Sequence, residues 1–146
     1  MIERLVHKEL QLATIIRSQF HKEGIEFFTD DDSSMQIGYM NREKDYAIQP
    51  HVHREVERKL TQTHEVLFIK KGLIRVDFYD DQQEYIQSTI VRQGDVILLA
   101  DGGHGFKMLE PSEIIEVKQG PYVGELDKVR FDPIDDRSVK MAKKKD

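Results

Sequence analysis

The sequence contains no cysteine, which removes disulfides, thiolate metal sites, iron–sulfur clusters and cysteine nucleophiles in one step. Long hydrophobic runs are also missing. The longest apolar block is five residues, Val96-Ile97-Leu98-Leu99-Ala100, too short for a membrane helix or a secretory signal. Nor is there an excess of positive charge: 22 Lys and Arg mix with 27 Asp and Glu for a formal net charge of −5. No field exists to hold a polyphosphate backbone, so nucleic acid is not expected as a partner. No internal repeat or linker interrupts the 146 residues, a length that suits one domain burying about two-thirds of its unfolded surface. The expectation is a soluble, cytoplasmic protein without membrane contact. Its one domain spans residues 1–131, followed by a tail over 132–146 that loses apolar periodicity and either wraps the surface or frays.

What is present is a series of short β-type segments divided by turn signals. Residues 12–16, Leu-Ala-Thr-Ile-Ile, read as a first strand, while residues 1–10 fit a short helix or an edge strand equally. Residues 24–29, 35–40 and 45–53 follow as candidate strands. Two β-rich runs, 65–70 and 73–79, flank Lys71-Gly72 and predict a hairpin. Residues 85–91, 96–99, 104–109 and 113–118 complete the series. Nine or ten short strands at near-regular spacing imply an all-β sandwich or barrel.

Three places in this pattern carry chemistry. His51 and His53 sit two apart in the predicted 45–53 strand, where alternation points both imidazoles to one face. Two exposed histidines on a solvated face would give the same spacing. In the predicted hairpin, Leu67, Ile69, Ile74, Val76 and Phe78 share an apolar face opposite Lys70, Arg75 and Asp77, and Glu65 falls on the apolar side. A carboxylate there needs a partner, either a cation or strong donors such as an arginine. His104 lies in Gly102-Gly103-His104-Gly105, where glycine permits close backbone approach.

In these residues the chain resembles the cupin superfamily. The first motif of that family corresponds to His51-Val52-His53, Glu65, six residues and Gly72; the second to Gly94-Asp95, the 96–99 strand, Gly103 and His104, with Ala100 where proline is usual. Eleven residues, 54–64, separate His53 from Glu65, where the family has three or four. This charged insertion is expected to fold over the barrel mouth or to form oligomer contacts. His64 ranks below Glu65 as a ligand, and His7 and His21 are assigned to the surface.

The resemblance implies a double-stranded β-helix, or jelly-roll barrel, with His51, His53, Glu65 and His104 around one divalent transition metal ion, Fe, Mn, Ni, Zn or Co. It implies a small-molecule ligand, with Gln49, Phe78 and Phe106 lining its pocket, and a homodimer. The implied activity is a metal-dependent enzyme on a small oxygenated metabolite, an isomerase or epimerase of sugar type in preference. An Fe(II) dioxygenase, a non-enzymatic binding module and a metal-free epimerase with a histidine base are the alternatives. Glu116 and Lys118 line the pocket if the turn at Glu110-Pro111-Ser112 has three residues. With four they lie outside and Ile115 and Val117 point inward, the favoured arrangement. Lys128 or Arg130 is a candidate contact for a substrate phosphate.

Overall fold

The computed structural model describes residues 1–143; residues 144–146 of the predicted tail lie outside the described residues. The protein is all-β and antiparallel, with no α-helix among the described residues. Its strands are β1 (Ile2–His7), β2 (Leu10–Ile16), β3 (Gly24–Phe27), β4 (Gly38–Asn41), β5 (Glu65–Lys71), β6 (Leu73–Tyr79), β7 (Tyr85–Arg92), β8 (Val96–Leu99), β9 (Gly103–Met108) and β10 (Glu113–Lys118). The chain divides into two compact units, Met1–Phe20 with Thr63–Asp146, and His21–Gln62.

The first unit holds a five-stranded sheet, β1-β2-β8-β5-β10, and a three-stranded sheet, β7-β6-β9. Strand pairing links each sheet separately, and among the described residues no closed barrel forms. Residues 2–7 resolve the helix-or-strand ambiguity as the edge strand β1. Cross-strand register aligns apolar side chains in rows on the inner face of the larger sheet. Leu5, Ala13 and Leu99 form one row, and Ile15, Ile97 and Leu67 the next. These join Ile74, Val76, Phe78 and Val91 of the smaller sheet in one buried core.

The expected hairpin at Lys71-Gly72 does not form. β5 bonds to β8 and β10, whereas β6 bonds to β7 and β9, so Gly72 is a corner at which the chain leaves one sheet for the other. Gly72 has φ +93°, and a Cβ there would lie 2.2 Å from Ser112 Oγ and 2.6 Å from the Pro111 carbonyl oxygen. A single glycine between strands is too short for a two-residue hairpin loop. The inward set survives because alternation belongs to each strand rather than to its pairing: Leu67, Ile69, Ile74, Val76 and Phe78 are all buried.

The outer face of the smaller sheet is covered. Arg75 and Asp77, expected outside, are buried and form a bidentate pair at 2.7 and 2.9 Å. Ser88 Oγ donates to Asp77 at 2.5 Å, and Arg75 also reaches Asp136 at 2.9 Å. The predicted tail is the cover: Ile134 N donates to Tyr79 Oη at 3.0 Å, and Ser88 exchanges backbone bonds with Lys140 and Ala142. It wraps the surface.

A second polar cluster closes the β7–β8 turn. Asp95 is 0% exposed and accepts from Arg17 at 2.8 Å, Ser18 N at 2.8 Å and Arg92 N at 3.1 Å. Arg17 is also held by Glu3 at 2.6 and 2.8 Å.

In the second unit, β3 and β4 form an antiparallel pair from Gly24–Asn41 to Phe27–Gly38. Predicted strand 35–40 is shortened to β4, and the predicted strand over 45–53 is absent. Asp45 adopts φ +68°, and Pro50 lacks the N–H a ladder requires. The Arg42 guanidinium packs instead over the Tyr46 ring, 4.6 Å from its centroid. Residues 46–61 contain no strand, and those of the charged insertion from 54 to 62 are exposed.

Candidate functional site

Glu65 opens β5 in the row of Leu5, Ala13 and Leu99, and its neighbour on β10 is Lys118. The row is apolar until it reaches Glu65, which is 6% exposed. The carboxylate is answered from the opposite sheet: His104 Nε2 lies 3.1 Å from Glu65 Oε2. His104 reaches this position because β9 pairs with β6, setting His104 beside Phe78 and Phe106 beside Val76. The glycines before it allow a tight approach. Gly102 has φ +72°, and a Cβ there would lie 2.4 Å from the Tyr79 carbonyl oxygen.

The Glu65–His104 contact therefore bridges the two sheets at one edge of the core. Phe78, paired with His104 across the strands, is fully buried in the core and presents no surface to a ligand, and the partly exposed Phe106 ring lies 5.4 Å from the imidazole. The bond from His104 holds the Glu65 carboxyl below its ordinary value of 4.5, burial opposes this, and the positive charges of Lys128 and Lys118 assist it. Glu65 is thus a carboxylate at neutral pH, able to accept the imidazole proton and orient the ring.

β10 departs from the expected arrangement. Ile115 and Val117 were expected inward, yet they are 53% and 60% exposed, on the outer face with Phe68. Glu116 and Lys118 share the inner face with Leu67 and Glu65. The register shift between Glu113 and Ile114 sets this parity, since one extra residue reverses every side chain beyond it. His64, ranked below Glu65, is buried, and its carbonyl accepts from Gln119 N at 3.1 Å.

His51 and His53 belong to the second unit. Both are exposed, their rings lie edge to face with centroids 5.3 Å apart, and His51 Nδ1 is 3.0 Å from the Gln49 carbonyl oxygen. Gln49 is exposed beside them. The four predicted metal ligands thus fall into two pairs in two units, and no group of three or more His, Asp or Glu among the described residues is placed to hold an ion. A carboxylate and an imidazole are donor types that divalent ions accept, and here the two are bonded to each other.

No family model, curated protein or solved structure matches this chain. Among the described residues no helix is long and apolar enough to cross a membrane.

Glu116 and Lys118 are residues that the favoured sequence reading placed on the wrong face. A three-residue turn at Glu110-Pro111-Ser112 offered the inward placement as an alternative, but only the register against β5 decides it.

Proposed function

We propose that the chain is a jelly-roll protein of cupin type that binds a small oxygenated molecule at the Glu65–His104 edge of its core, as a metal-dependent enzyme. The observation that carries this reading is the bond between a buried carboxylate of one sheet and an imidazole of the other. A core needs no such pair for stability, since apolar residues of similar volume hold a sandwich at least as well. Glu65 and His104 would hold the ion. A divalent ion supplies Lewis acidity toward a hydroxyl or carbonyl oxygen. Glu65 fixes the imidazole orientation, and Phe106 offers an apolar flank.

A second reading is favoured by the two-donor count at this edge: the Glu65–His104 dyad itself moves a proton, with His104 as acid or base and Glu65 orienting it. Elemental analysis of protein purified without added metal separates the two. Bound transition metal in the wild type, lost in His104→Ala and weakened in Glu65→Gln, supports the first reading. Metal-free protein whose turnover is indifferent to chelator supports the second.

We also propose a homodimer. Phe68, Ile115 and Val117 lie exposed together on the outer face beside the edge strand β10, a surface that a second copy would cover. A monomer by light scattering rules this out.

A further inference from the structure

The larger sheet ends in β1 on one side and β10 on the other, and among the described residues no strand pairs beyond either. β1 is interrupted in its middle by the register shift between Leu5 and Val6, a device that turns an edge away from a partner. In β10 the shift falls at the start, between Glu113 and Ile114, and the ladder to β5 is regular from Ile114 to Lys118. Gln119 N donates to the carbonyl of His64, the residue next to Glu65, whereas Ile69 on β5 bonds Asp95 on the β8 side. Residues 115, 117 and 119 therefore aim their backbone groups at β5, and Ile114, Glu116 and Lys118 aim theirs away from the sheet.

The side chains along this edge alternate in kind. Ile115 and Val117 are exposed on the outer face with Phe68, and Glu116 and Lys118 stand on the inner face. Two charges of one sign would oppose every pairing with a second copy of the strand. A carboxylate and an ammonium two residues apart oppose only some registers. A two-fold axis perpendicular to the sheet lets the outward backbone groups of two copies meet when it passes through residue 115, 116 or 117. At Glu116 it sets that carboxylate against its own copy, and at Ile115 it sets Glu116 against Ile114. At Val117 it sets Glu116 of each copy against Lys118 of the other, with their backbone bonds exchanged, and Val117 against Val117 on the outer face.

We propose that β10 pairs antiparallel with β10 of a second copy about a two-fold axis at Val117, with Glu116 of each copy opposite Lys118 of the other. The seam rests on the homodimer reading and specifies it: the two larger sheets join into one, and the apolar strip of Phe68, Ile115 and Val117 runs on across the join. Such an interface is isologous and closes on itself, so assembly stops at the dimer. The bulged β1 then ends the joined sheet on both sides.

The test is sedimentation of the full chain with its edge charges reversed. The wild type should sediment as a dimer. Glu116→Lys or Lys118→Glu alone sets like charges against each other and should weaken self-association about tenfold or more. An equimolar mixture of the two single variants should recover the dimer, because each then meets the opposite charge on the other. The chain has no cysteine, so Val117→Cys supplies a lone thiol, which mild oxidation should join to its copy across the axis. Ile115→Cys, opposite Gln119 in this register, should link far less. A dimer that both reversals leave unchanged, a mixture no tighter than its components, or faster cross-linking at 115 than at 117 overturns the seam and leaves the homodimer standing. A wild type that stays monomeric at every concentration overturns both.

Discussion

Two buried carboxylates in the first unit show opposite designs. Asp95 is sealed off and accepts bonds from Arg17 and from two backbone amides. Glu65 is almost as buried but takes one hydrogen bond, from a partly exposed imidazole, with two lysines acting only through space. Asp95 has its acceptor sites filled by the fold, because it joins the 17–18 segment to the β7–β8 turn. Glu65 keeps acceptor capacity in reserve. A carboxylate whose bonds the fold completes is a structural part. One left partly satisfied at the edge of a core is available to a ligand.

The largest effect that would sharpen this contrast is Asp95→Ala. It leaves the Arg17 guanidinium and two backbone amides without their acceptor, and a loss of about 3–5 kcal/mol by urea unfolding is expected. A loss no larger than that of Glu65→Gln would break the comparison. Next is Ser88→Ala, which removes the donor to Asp77 beneath the C-terminal segment. About 1–3 kcal/mol should be lost by the same measurement. Glu65→Gln should come third, changing stability by about 1 kcal/mol or less because the amide still bonds His104. Its effect should fall instead on ligand or metal binding, measured by titration and elemental analysis.

The smallest effect is a pH dependence. The folded pKa of Glu65 is lowered, by the His104 bond first, so the folded state holds fewer protons than the unfolded one in that window. The stability this group contributes is complete above about 4.5, the unfolded value. It disappears as pH falls through the lower folded value. A carboxyl resonance of Glu65 titrating above 4.5 would contradict this, and in His104→Ala the midpoint should rise.

Much of the strand pattern was legible because alternation is a local property. The residues from Leu67 to Phe78 could be divided into inner and outer sets from their sequence, and the burial of Glu65 followed. The 45–53 segment misled because its histidine spacing has strand parity while Pro50, in the same run, denies it a ladder. The parity of β10 was unreadable for a different reason. It depends on a register shift against β5, a strand distant in the sequence. Gly72 fits a hairpin turn or a corner between sheets, and only its closeness to Pro111 and Ser112 separates the two. Arg75 and Asp77 keep the outward parity that alternation requires, yet lie buried under a segment with no strand pattern of its own.

The sequence by itself determined that this chain forms short strands with an apolar side, and that Glu65 stands on that side as a residue needing a partner. Side-chain parity and turn chemistry act over a few residues, so a few residues suffice to read them. Which strand lies beside which, that the answer to Glu65 comes from His104, and that Lys118 stands next to it were decided by the tertiary structure. Those contacts join positions far apart in the chain, and their choice depends on packing all the inner faces into one core.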